Sequence, residues 1–180
     1  MPSMFSARVG RLALSPTDSL ELAPCGAAAS GALPDTSVRA TRRVIAGASV
    51  DPQPQMSDPA AGVYRWMYDV QINNARDMPV TVAAHRWETA DAAGKQRREE
   101  GAGVGGNYEA KEVTLPAGEA FRTRGIVTTS TPTGNAWGAY TVRAQTAGGG
   151  EVEIEAEVGV VGLSLDGSPV EDMRPPEDLE

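Results

Sequence analysis

Four clusters in this chain carry residue types that could do chemistry. Gly101-Ala-Gly103-Val-Gly-Gly106 matches GxGxxG, the spacing that lets a backbone approach a pyrophosphate. His85-Arg86-Trp87 offers a base, a cation and an aromatic face in three consecutive residues. Thr131-Pro132-Thr133-Gly134 is a glycine-punctuated turn of the kind used for recognition. Glu151, Glu153, Glu155 and Glu157 recur every second residue, which puts four carboxylates on one face of a strand.

Each cluster lacks something that its chemistry requires. A dinucleotide site needs a buried parallel strand before the glycines and a helix after them. Here the charged Lys95–Glu100 precedes the motif, and Pro116 cuts short any helix that follows it. What remains is an anion loop in which the amides of Gly101, Gly103 and Gly106 would form a nest, with Arg97 and Arg98 offset by Glu99 and Glu100. His85 is the only histidine, and no serine or cysteine is spaced to be its nucleophile, so a structural role ranks above general-base catalysis. A carboxylate row on one strand cannot converge on a cation from several directions, and a solvated face is its plainer meaning. With one histidine and one cysteine, Cys25, neither a zinc site of the usual ligand types nor an intrachain disulfide can form. The expectation is therefore no catalytic residue, no metal and no cofactor, with Arg86, Thr131, Pro132 and Gly134 as interaction residues.

The elements that must position these residues are strands. Tyr64, Trp66, Tyr68, Val70 and Ile72 alternate with more polar neighbours, one apolar face and one wet face. Val44–Val50, Val80 to about Ala90, Gln96–Glu100, Glu112–Leu115, the stretch marked by Phe121, Ile126 and Val127, the stretch marked by Trp137, Tyr140 and Val142, and Val152–Val158 are further strands, separated by turns at 73–79, 91–94, 116–118 and 148–150. Twenty glycines and thirteen prolines in 180 residues suit such frequent turns. The pattern predicts an all-β antiparallel sandwich of seven to eight strands over residues 42–164. Residues 1–41 form an N-terminal extension with a linker over 16–36, and 165–180 an acidic, proline-containing tail free to drape over a partner.

Net charge is −8 but unevenly spread: five Arg against three acids over 1–43 give +2, while 44–164 and 165–180 each carry −5. An acidic domain with an acidic tail repels phosphate backbones, so direct nucleic-acid binding is disfavoured. No apolar run approaches the roughly 20 residues that span a bilayer. The first fifteen residues hold two Arg and no acid, with Phe5, Val9 and Leu12 on one helical face, which matches an organellar targeting segment. The expected compartment is mitochondrion or plastid, with cytoplasm as the alternative.

Taken together, the markers resemble the ApaG domain family. They are Ser57-Asp58-Pro59 ahead of Tyr64–Tyr68, Pro79-Val80, Arg86-Trp87, Asp91 with Gly94, the glycine loop, Leu115–Glu119 with Phe121, and Thr131–Gly134 leading to Gly138-Ala139-Tyr140. The resemblance runs from about Arg42 to Leu163. It departs at His85, where the family carries Arg two places before its Trp, at Ala136 in place of Met, and at Ala156–Gly159 in place of a closing Ile-Pro-x-Phe. It implies a fibronectin-III or immunoglobulin-like sandwich with no firm catalytic activity. In bacterial members it implies a link to cobalt and magnesium tolerance and a pyrophosphate-like ligand, and in eukaryotic members partner binding. The functional expectation is a non-catalytic protein-interaction module, an accessory or structural subunit of a larger assembly. The alternative is a binder of pyrophosphate- or nucleotide-like anions through residues 101–106.

Overall fold

Side chains that alternate along a strand must be buried on one face only, and this chain meets that demand with two facing sheets. The computed structural model describes residues 33–106 and 111–174. Within these residues nine strands follow one another: β1 (Thr36–Thr41), β2 (Val44–Pro52), β3 (Tyr64–Asn74), β4 (Val80–Asp91), β5 (Gln96–Ala102), β6 (Val113–Leu115), β7 (Ala120–Thr129), β8 (Thr133–Gln145) and β9 (Glu151–Ser164). One sheet has the order β1-β2-β3-β7; the other has β5-β4-β8-β9, with β6 also on β4. Every pairing is antiparallel. The architecture is the expected β-sandwich.

The core is what the alternation in β3 implies. Trp66, Tyr68, Val70 and Ile72 are buried, against Val80, Val82 and Trp87 of β4 and Tyr140 and Val142 of β8. Tyr68 stacks on Trp87 with ring centroids 4.6 Å apart. Of the residues that mark β7, Val127 is buried, while Ile126 points outward and is partly exposed.

Three boundaries differ from the sequence expectation. First, β1 lies in what reads as linker and N-terminal extension. Only Ser37 and Thr41 are half-buried and the rest are exposed, so it has no buried apolar alternation to betray it; backbone pairing to β2, from Thr36↔Ser49 to Thr41↔Val44, holds it. Added to the eight stretches read as strands, among them Glu112–Leu115 for the short β6, it brings the count to nine among the described residues.

Second, residues 165–174 do not extend as a free tail. Val170 is buried, and Leu33 N donates to its carbonyl at 2.8 Å. The fully buried Asn135 donates from Nδ2 to Glu171 O at 3.0 Å and accepts from Met173 N at 2.9 Å. A side-chain amide thus stands in for a strand and holds the segment. Third, Thr133 and Gly134 belong to β8 and not to the preceding turn. The targeting segment at 1–15, most of the linker, Cys25 and the end of the acidic tail lie outside the described residues.

One side of the sandwich is closed. Ser37 Oγ donates to Gly159 O at 2.9 Å, and Gly162 N donates to Pro34 O at 2.7 Å, tying the start of the chain and β1 to β9.

Candidate functional site

The glycine motif is a packed structure. Gly101 and Ala102 end β5, an antiparallel edge strand, and β6 is the next strand, so the expected rejection of a dinucleotide fold agrees with the topology. The loop wraps the ring of His85. A Cβ on Gly101 would sit 3.1 Å from His85 Cε1, and one on Gly105 would sit 2.6 Å from both Cε1 and Nε2. Gly103, Gly105 and Gly106 all have positive φ, +69°, +66° and +58°. Glycine is therefore needed here for both conformation and space. A Cβ on Gly106 would collide with the Arg124 carbonyl.

Between these glycines Val104 is wholly buried as a core plug. Gly103 N donates to Ala83 O at 2.6 Å and Val104 N to Lys111 O at 3.0 Å. An anion would thus find two of the loop's amides already committed. His85 Nδ1 is 3.0 Å from Gly103 O, and because a carbonyl only accepts, Nδ1 carries the proton. His85 is the pillar under the loop.

The Thr131–Gly134 stretch closes a corner. Thr131 Oγ1 accepts from Ala92 N at 3.0 Å and donates to Thr133 O at 2.7 Å. Gly134 is buried in β8, where a Cβ would meet Ala90 O at 2.6 Å; Pro132 alone is exposed. The centre of the corner is Asp91. Its carboxylate accepts from Ala93 N at 3.1 Å, Lys95 N at 2.9 Å, Ser130 N at 3.1 Å and the Ser130 hydroxyl. Burial by itself would raise the Asp91 carboxyl, but the Ser130 hydroxyl and the surrounding amides outweigh it and hold it below the usual carboxylate range. The sequence marks Asp91 as a turn residue and, with Gly94, as part of the family resemblance, but not as the centre of a corner. Four donors converging on one carboxylate are not visible before the two turns meet.

Arg86 is the predicted residue that lies on an open surface, the outer face of the β5-β4-β8-β9 sheet. Directly paired residues share a face, so the register fixes its neighbours: Glu88 opposite Trp137, Arg86 opposite Ala139, and Ala84 opposite Thr141 on one side of β8; Glu157 opposite Ala139 and Glu155 opposite Thr141 on the other. The small side chains of β8 make a trough between charged ridges on β4 and β9. At its end a β-bulge sets Trp137 against both Gly159 and Val160, because pairing jumps from Gly138↔Val158 to Ala136↔Val161. Trp137 is half-buried there, unlike Trp66 and Trp87.

The trough holds two cavities. One of about 610 Å³ runs beside Trp137 and is walled in part by Asp172 and Arg174 of the docked C-terminal segment. The other, about 430 Å³, lies above Ala139 and Thr141 towards Arg98 and Glu100. Arg86 and Glu155 line both, and their ion pair, Nη2 to Oε1 at 2.5 Å, crosses β8 between them. Arg86 Nε is also 3.3 Å from Glu88. The row Glu151, Glu153, Glu155 and Glu157 is exposed on this same face. Among the described residues no three His, Cys, Asp or Glu converge as metal ligands.

Comparison with known proteins gives this geometry a lineage. A family model described as the ApaG domain matches residues 54–144. The protein ApaG of Azorhizobium caulinodans is 32% identical over 116 residues, which is 64% of this chain and 86% of that protein. The protein ApaG of Caulobacter vibrioides is 36% identical over 84 residues, 47% of this chain and 57% of its own length. Among solved structures, the putative ApaA protein from Bordetella pertussis superposes with a TM-score of 0.59, covering 73% of this chain and 99% of that one. At 23% identity that likeness speaks to the fold alone. The sandwich, the glycine loop locked on strand β4 and the matched span agree: this chain belongs to the ApaG domain family.

Proposed function

We propose that the domain is a non-catalytic interaction module, an accessory subunit that seats a partner protein on the outer face of the β5-β4-β8-β9 sheet. The observation that carries this reading is the trough along β8, about 610 and 430 Å³ in its two parts, with a half-buried tryptophan at one end. A tryptophan in a concave, partly desolvated setting is a side chain that anchors protein interfaces. The other candidate clusters are occupied with holding the fold. His85 supports the glycine loop, Thr131 and Gly134 close the Asp91 corner, and the amides of Gly103 and Val104 are bonded to carbonyls. That arrangement weighs against the pyrophosphate reading of the loop. The first fifteen residues, with two Arg and no acid, would carry the chain to an organellar assembly, an idea tested by fusing them to a fluorescent reporter.

A photo-crosslinking residue placed at Glu157, on the rim of the trough, should capture a discrete partner in the protein's native cell. The same residue at Gln71, exposed on the opposite sheet, should not. Equal capture at both positions, or none at Glu157 with the chain running as a free monomer, would remove the reading.

A further inference from the structure

The Arg86–Glu155 ion pair has an odd position. It spans a strand of small residues and divides one trough into two. An exposed ion pair contributes little to stability, so the sandwich does not depend on it. What the pair does is keep a guanidinium between two carboxylates, Glu88 and Glu155, above Ala139. We propose that Arg86 is an internal stand-in for a partner's arginine. The trough takes an extended, arginine-bearing segment of a partner protein, whose guanidinium displaces Arg86 from Glu155 and joins the two cavities. This rests on the outer face being the docking surface.

Charge on the face selects that occupant. Arg98 is held by Glu100, and Arg143 by Glu112. Glu151, Glu153 and Glu157 have no cation within ion-pair distance among the described residues, and Arg39 is the cation without an ion pair on the far rim of the trough. The surplus is acidic and lies along the strand next to the trough. The half-buried Trp137 beside it favours a flat guanidinium over an ammonium, because arginine stacks on an indole while its fork meets carboxylates. A segment running along β8 in extended form presents alternate side chains to the face at the same two-residue spacing as the glutamate row.

The test is fluorescence anisotropy with a labelled peptide alternating arginine and threonine, beside counterparts carrying lysine or glutamate in place of arginine. The arginine peptide should bind, more weakly as salt rises, and the glutamate peptide should not. Trp137→Ala and Glu155→Gln should each weaken binding by about threefold or more. Arg86→Ala should tighten it by about threefold, because the internal competitor is gone. If Arg86→Ala does not fold, Arg86→Gln makes the same comparison. An Arg86 variant that binds more weakly or no better, or a glutamate peptide that binds as well, would overturn the proposal. Capture at Glu157 without arginine-peptide binding would sink this inference alone; binding without capture would count against the partner reading instead.

Discussion

Tyr68 shows how much one side chain depends on its neighbours. Its ring stacks on Trp87, and its hydroxyl lies where a Cβ on Gly125 would be, so β7 must carry glycine at that position. Burial, and then the negative charge of Glu99, push the phenol from 10.0 up to about 12. The sign follows from linkage. Below pH 10 the phenol is neutral folded and unfolded, and stability is complete. Between pH 10 and 12 the unfolded phenol ionises while the folded one does not, and about 2–3 kcal/mol is lost. Tyr140, raised by burial and then by the charge of Tyr68, adds to the loss. The expected outcome is an alkaline unfolding transition that begins near pH 10 and shifts upward in Tyr68→Phe, followed by absorbance of the phenolate and by circular dichroism in parallel. His85 belongs to the same scale. It and the glycines over it are one packing unit, so neither is legible from the sequence without the other.

Among the elements, the hairpin joining β1 to β2 is the least favourable by local rules. Thr41 pairs with Val44, leaving a two-residue turn in which Arg42 and Arg43 have φ of +47° and +66°. Such a turn prefers Asn-Gly, and residues with a Cβ pay about 1 kcal/mol each for the left-handed region. Its compensation is local: Arg43 reaches Asp77 at 3.0 Å, and Ala75 N donates to Arg43 O at 2.9 Å. The exposed ion pair offsets only a little of the strain. Replacing Arg42-Arg43 by Asn-Gly should therefore raise stability by about 1–2 kcal/mol, measured by urea unfolding with an unchanged m-value. A lower midpoint would mean that the arginine contacts outweigh the backbone cost. The Asp91 corner is the opposite case, where every local donor is satisfied and two turns lock together.

For the molecule as a whole, the two ends of the described chain are fastened to each other. Leu33 and Pro34 bond to Val170 and Gly162, and Asn135 fixes the stretch around Glu171 and Met173. The C-terminal segment is thus part of the domain and also a wall of the trough beside Trp137. Ending the chain after Ser168 removes the buried Val170 and leaves the Asn135 amide, wholly buried, without its backbone partners. The expected cost is about 2–4 kcal/mol, from the lost valine and the unpaired amide together, and is measured as a fall in thermal midpoint. An unchanged midpoint would show that the segment is a passenger.

The amino-acid sequence by itself determined the class of fold, because a two-residue period of large apolar side chains, cut by Gly and Pro, has no other way to be buried. The β3 face of Trp66, Tyr68, Val70 and Ile72 is that argument in one strand. It also supplied Arg86 as a residue of interest and the family. Only the tertiary structure decided which clusters are open. A glycine motif, a lone histidine and a threonine-rich turn read alike as sites until long-range contacts show what fills them. His85 sits 18 residues from Gly103, and Asp91 lies 39 from Ser130. The trough exists because register set small residues of β8 between charged residues of β4 and β9, and register belongs to the paired strands, not to any one of them.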